Sequence, residues 1–482
     1  MTDVTPPRET PVAPTAPTAP RRRSLLAAGG RASLALVAAA ATVVLGVGVL
    51  LVPSPSVVSP VTSIAVTPDR TDQVLVCAGG TLGLTRGDDL QVTVVGAPRL
   101  RSVGEGLVES RITTSDALEG SAAVVTLPRN APADAVAATE LVRATTSEVS
   151  GLAAAECLPA ARSAWLVGGS TTVGRSTWIV LTNADDVDAT VDLRVWGASG
   201  PIDAPGTSGL TIAAGSQRVV ALAGIAVDEA SPVVNVASRG GSVAATLQTS
   251  IVRGLTASGV SIVTPIIEPA LLHVIAALPV IASQQVLQQA TADGGVDGLT
   301  TLRLLAPGQT DATVIVTLIP PEGGTGLVTE VLLEADTVLD LPFTGLVDGE
   351  YSVVVESDVP VVAAGRTNAA GAEGFDVEWF TPSPALNAGA EVLVSVAPLE
   401  GSQSALLHLF ASEGDAVVTV DGVEVAVPSG TSVVVPSASN TGVFLTTTAP
   451  VHATFSYRSD GLLAGSRVLG PPNASRPLTV FP

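Results

Sequence analysis

Lysine is missing from all 482 residues, so the chain can build no P-loop lysine, Schiff base or Ser-Lys dyad. Histidine is nearly as scarce. His273, His408 and His452 stand far apart, with no H-x-x-x-H pair to set two metal ligands on one helix face and no cysteine cluster for zinc. His408 and His452 fall in predicted strands of one unit, where each reads as a partly buried polar group rather than half of a functional pair. No G-x-S-x-G elbow occurs. Four Trp, two Tyr and seven Phe leave little material for sugar-stacking platforms. Trp165, Trp178 and Trp379 occupy strand positions that suit core packing, and Trp196 and Trp379 are the two to inspect for exposure.

Positive charge is the next shortage, with 23 basic residues against 44 acidic. Residues 1–31 hold five Arg against Asp3 and Glu9, net +3, which leaves 18 Arg and 42 acids, net −24, on the remainder. So negative a surface repels phosphate backbones, and nucleic acid is excluded as a partner. Carboxylates are the one catalytic resource in supply. Asp88-Asp89, Asp185-Asp186 and Asp293 with Asp297 lie in loops, where a glycosidase pair about 5–10 Å apart or a calcium site would need them. None has D-x-D-x-D-G spacing, and they read as turn residues that satisfy local amides.

What is present is one long apolar run. Ala32 to Val52 contains no charge over 21 residues, enough at about 1.5 Å per residue to span a bilayer core of about 30 Å. Arg21, Arg22, Arg23 and Arg31 precede it, which places the N-terminus in the cytoplasm and the bulk of the chain outside. A cleaved signal is the competing reading, and Arg22-Arg23-Ser24-Leu25-Leu26 loosely fits a twin-arginine export signal. Either way the bulk is exported. In an oxidising compartment the only two thiols, Cys77 and Cys157, read as one disulfide, against the alternative of two buried free thiols.

The expected organisation is a disordered Pro/Arg-rich cytoplasmic tail (1–31), a transmembrane helix (32–52) and a Pro/Ser stalk (53–60). A β-rich extracellular region with the Cys pair (61–160) follows, then β-sandwich repeats at 161–266, 278–380 and 384–470, and a tail (471–482). The fold class is thus all-β: an N-terminal transmembrane helix and tandem antiparallel sandwich-like repeats of about seven strands. The repeat shows as Asp188-Ala189-Thr190-Val191, Asp311-Ala312-Thr313-Val314 and Asp415-Ala416-Val417-Val418, each third in the same procession of strands. A tight hairpin follows each copy, turning at Ala214-Gly215-Ser216, Glu334-Ala335-Asp336 and Pro428-Ser429-Gly430. Gln285 to Gln288 is the expected first strand of the second repeat, and Pro269 to Pro279 reads as a linker helix or an edge strand. Glu140 to Glu156 leans helical, against the β-branched Thr145, Thr146 and Val149.

Val74-Leu75-Val76-Cys77 soon after the apolar run, Cys157-Leu158-Pro159 ahead of Trp165-Leu166-Val167-Gly168-Gly169, and the strand and Asn-loop Ile179-Val180-Leu181-Thr182-Asn183 make a combination that resembles a known family. That family comprises secreted, membrane-anchored actinobacterial proteins with a domain of unknown function. The resemblance implies an envelope location and brings no catalytic residue. The reading that follows is a single-pass surface protein with a non-enzymatic structural or scaffolding ectodomain, a rod of sandwiches, without cofactor or metal. Its partners would be the membrane, through its own helix, and cell-envelope polymers or other surface proteins. The alternatives are a module that binds cell-wall polysaccharide and, further off, a carboxylate-dependent glycan hydrolase.

Overall fold

A computed structural model describes residues 70–470 apart from 85–90, 115, 117–119, 134, 293–297, 322, 325 and 402, together with two short strands, Ile64–Val66 and Leu478–Val480, that pair antiparallel. The expected cytoplasmic tail, membrane helix, stalk and most of the C-terminal tail lie outside the described residues. Among those described, no helix is long and apolar enough to cross a membrane.

The chain is all-β, and its strands repeat one two-layer plan. In the copy at 163–263, Ser163–Val167, Val233–Gly240, Ala189–Gly197 and Leu210–Ile212 form one sheet in that order. Ser216–Ala221, Arg175–Asn183, Ala244–Arg253 and Thr256–Val263 form the facing sheet. The copies at 270–380 and 385–467 share this order in both layers, which adds a last strand to the seven expected, and the copies at 163–263 and 385–467 each carry one short strand more, Gly200–Ile202 and Ala385–Leu386. Alternation drives the layering: Ala189, Val191, Leu193 and Val195 are buried, while Asp192 and Arg194 point outward.

The repeated tetrapeptide has a structural reason. Asp188, Asp311 and Asp415 each accept, at 2.9 Å through Oδ1, the backbone N–H of Ala214, Ala335 and Ser429, the turn that follows. The Ala and Val of each copy go into the core. Those turns are not hairpins, however. Leu210–Ile212 pairs in one layer and Ser216–Ala221 in the other, so the turn is a corner between sheets, and the Asp fixes it. The expected closing pairs also cross layers; in the copy at 270–380 both halves lie on the single strand Gly349–Gly371, which leaves one sheet and enters the other.

Three local expectations are corrected. Gln285 to Gln288 lies in the helix Ser283–Ala292, because Asp348 accepts the Ala282 and Ser283 amides at 3.1 and 2.8 Å and Gln, Leu and Ala favour helix. Pro269 to Pro279, open between linker helix and edge strand, is the edge strand Ala270–Val280, so the second expected repeat begins at 270 rather than 278. Glu140 to Glu156 forms strands, Ala137–Thr145 and Ser150–Glu156, because both line cores.

Residues 73–156 form a further copy of the same plan. Gln73–Val76, Ser121–Leu127 and Val108–Thr113 face Pro98–Val103, Ala137–Thr145 and Ser150–Glu156, with Leu75, Val125, Leu127 and Ala138 between them. Cys77 and Cys157 form a disulfide that joins the first strand's end to the exit of this first sandwich, 80 residues apart. Cys77→Ser is expected to lose up to about 4 kcal/mol in the chain-entropy account. Denaturant melts with and without reductant would read it, with the variant insensitive to reductant.

The four sandwiches close on one another and do not extend as a rod. Their last strands, Ser150–Glu156, Thr256–Val263, Gly374–Phe380 and Leu462–Arg467, pack in a ring in which each touches the next and the fourth returns to the first. At the centre Asp376 is wholly buried, and its carboxylate accepts one backbone N–H from each sandwich: Leu152 (2.7 Å), Val260 (3.1 Å), Val377 (3.0 Å) and Leu463 (3.2 Å). Gly151 and Gly259, at φ of +154° and +132°, make room for it. A Cβ on Gly151 would stand 2.5 Å from Asp376 Oδ1, and one on Gly259 2.8 Å from the Val377 nitrogen.

Burial raises the Asp376 carboxyl to about 7 against the pull of its four amides. Glu378, two residues on, is pushed well above the usual range by burial and then by Asp376 beside it. Glu140, also sealed, rises to about 7 through burial, although the Gly79 amide bonds it at 2.9 Å. Such groups stabilise the fold while protonated, and this contribution is lost as pH rises through their folded values. Burial lowers His273, His408 and His452, whose opposing contribution fades below pH 6.5, so the acids act alone above it. The melting temperature is expected to fall from pH 6.5 to 9, with a shallower fall for Glu378→Gln; a flat or rising profile over that range would contradict the assignment.

Candidate functional site

The connections between sandwiches gather at one place and enclose a cavity of 470 Å³. Leu158 and Pro159 come from the first link, Pro265 and Ile266 from the second, Pro382 and Pro384 from the third. The bridging hydrogen bonds of these links fall on the residues beside the prolines, Leu158 with Val76 and Ile266 with Trp165, so the missing N–H of proline costs no bond there. Ile267, Leu271 and Leu272 near the second link stay 50%, 52% and 39% exposed. Arg467 lines the cavity and is paired with Glu156 through Nε at 2.8 Å, and its own amide donates to Glu156 at 2.9 Å, which ties the last sandwich to the first. A cavity of this size and lining suits an apolar ligand part oriented by a few polar groups.

Two of the three histidines meet this cavity, and they are not the pair sharing a predicted unit. His273 bonds the Val361 carbonyl through Nε2 at 2.7 Å, and His452 bonds the Ser383 carbonyl through Nδ1 at 2.7 Å. His408 is sealed in the fourth sandwich, with Nε2 on Ser456 Oγ at 2.9 Å, and burial with nearby Arg458 takes it down to about 3. Because Nδ1 of His452 faces a carbonyl it carries the proton, and Nε2 accepts from the Ser412 hydroxyl at 3.2 Å. Of the two Ser–His contacts this is the one that lines the cavity, in the arrangement of a nucleophile and base. A carbonyl stands where a carboxylate would, and burial lowers the His452 pKa, so its basicity is weak.

The other sequence candidates resolve plainly. Asp185 accepts the Ser242 amide and hydroxyl, each at 2.8 Å, as a turn residue. Asp88, Asp89, Asp293 and Asp297 lie outside the described residues. Among the described residues no group of three or more His, Cys, Asp or Glu is placed to hold a metal. Trp196 and Trp379, the two marked for inspection, are buried. Trp196 packs on Trp165 at 5.2 Å and donates from Nε1 to Asp336 at 2.9 Å, a tie between the second and third sandwiches. The acids of raised pKa, Asp376 and Glu378, sit in the sealed ring and open into no cleft.

Fold and cavity together define an all-β protein of four sandwiches closed on a buried carboxylate. The chain belongs to the Family of unknown function (DUF5719), whose model matches residues 112–441. No curated protein matches it. Among solved structures, a "Biofilm associated protein - BSP domain" is 10% identical at a TM-score of 0.12, covering 89% of this chain and 100% of its own. "The Bacillus anthracis TIE protein" is 10% identical at 0.09, covering 84% and 74%. At such scores neither likeness bears on fold or function.

Proposed function

We propose that this is a non-enzymatic structural protein of the cell envelope, held at the membrane by residues 32–52, with its four-sandwich body outside as a scaffold. The observation that carries the reading is the use made of buried polar groups. Asp376, Glu156 with Arg467, and Trp196 with Asp336 all join one sandwich to another, which is how a rigid support is built. The disulfide supports an oxidising compartment. Protease added to intact native cells is expected to digest the fourth sandwich, and protection until lysis would reverse the topology. A fluorophosphonate probe is expected to leave Ser412 unlabelled; labelling there, lost in His452→Gln, would replace the scaffold reading with a hydrolase.

A further inference from the structure

The cleft between the second and third sandwiches has a charge opposite to that of the chain around it. It measures 300 Å³, and Arg175, Arg366, Asp340 and Trp379 line it. Arg303 lies beneath, fully buried, with every donor nitrogen engaged. Nε and one terminal nitrogen hold Asp340 at 2.8 and 2.9 Å, and the rest bond the Gly169, Pro232 and Ala230 carbonyls. The Arg303 charge is therefore spent on Asp340, which also accepts from Ser231 at 2.7 Å.

Arg366 is held differently. It stands opposite Thr301 and Trp379 in the ladder, with its guanidinium 5.7 Å from the Trp379 ring. Its Nε is buried and finds no hydrogen-bond partner among the described residues, and a terminal nitrogen reaches only the Leu299 carbonyl and Thr301 hydroxyl, at 3.5 and 3.4 Å. The charges acting on it are Asp340, already neutralised, and two further arginines, Arg303 and Arg175. Burial takes Arg366 down to about 10, the mark of a cation short of counter-charge.

We propose that this cleft binds an oxyanion, carboxylate or phosphate, carried on a sugar-sized polyhydroxylated body, with Arg366 as the residue that receives it. The guanidinium fork matches both groups bidentately. Ser170, Thr172, Thr249 and Thr301 supply hydroxyls around it, and Trp379 supplies a wall. A cleft of 300 Å³ is at the lower end of ligand pockets, about 300–1,000 Å³, which suits one monosaccharide. A free sugar acid and the end unit of an anionic envelope polymer share this chemistry. The proposal does not depend on the scaffold reading.

The test is calorimetric titration of the full-length protein in detergent with D-glucuronate, inorganic phosphate, polygalacturonate and D-glucose. Glucuronate or phosphate is expected to bind saturably and glucose not. Binding of the polymer as well assigns the source to the envelope, and binding of the small anions alone assigns it to a free metabolite. Arg366→Gln is expected to weaken anion binding about tenfold or more, a loss of about 1.4 kcal/mol. Should that variant not fold, Thr249→Val is expected to weaken glucuronate several-fold, and glucuronate but not glucose to raise the wild-type melting temperature. Equal binding of glucose and glucuronate, no anion binding at millimolar concentration, or unchanged binding by a folded Arg366→Gln would overturn the proposal.

Discussion

Asp376→Ala is expected to abolish the cooperative unfolding transition at room temperature, or to leave a species without near-ultraviolet circular dichroism. The substitution strands four backbone N–H groups, one from each sandwich, in a centre from which water is excluded. An unpaired buried donor costs about 1–3 kcal/mol, and a domain's whole stability is about 5–15 kcal/mol. Asp376→Asn keeps the volume and one acceptor oxygen but turns an NH₂ toward two of the donors, so it should fall between wild type and alanine. Val377→Ala, on the same strand, serves as the reference for simple loss of packing. If Asp376→Ala melts within about 1 kcal/mol of wild type in guanidinium titration, the carboxylate is not what holds the four strands together.

The second large effect is expected at Arg467. With side-chain exposures of 8% for Arg467 and 7% for Glu156, this is a buried ion pair. Arg467→Met removes the side-chain partner of the buried Glu156 and leaves it only the backbone N–H of residue 467, at a cost of about 3–5 kcal/mol. The double variant Arg467→Met, Glu156→Leu should recover most of the loss, because a buried pair contributes little beyond an apolar replacement. Failure of that recovery would mean that Arg467 acts through other partners, such as the Pro382 carbonyl at 3.3 Å. Loss of the pair should also open the seam between the first and fourth sandwiches. Hydrogen exchange would show this at Leu152 and Ala154, which contribute to the fourth sandwich's core.

The three later sandwiches were legible in the sequence because their corner depends on one side chain, the Asp before each Ala-x-Val. The first sandwich lacks that Asp: its corresponding strand, Val108–Thr113, follows Leu107, and so it gave no echo. The corners themselves read as hairpins because turn chemistry looks alike whether the two strands pair with each other or with opposite layers. The ring was invisible for a sharper reason. Gly-Phe-Asp-Val-Glu-Trp-Phe in Gly374–Phe380 alternates apolar with charged residues, the pattern of a strand half in water. Alternation reports two unlike faces and is silent on which of them meets solvent. Here the charged face meets three other strands. Arg366 escaped notice likewise, as one arginine in an apolar strand, and only the topology sets it beside Arg175 and Arg303.

Closure by the last sandwich also sets an order of assembly. Leu141, Leu152 and Ala154 of the first sandwich are covered by the fourth, more than two hundred residues later in the chain. A growing chain therefore carries a bare greasy flank until its final segment has been made. Chains that stall or are truncated before the fourth sandwich keep that flank bare and are the ones expected to clump.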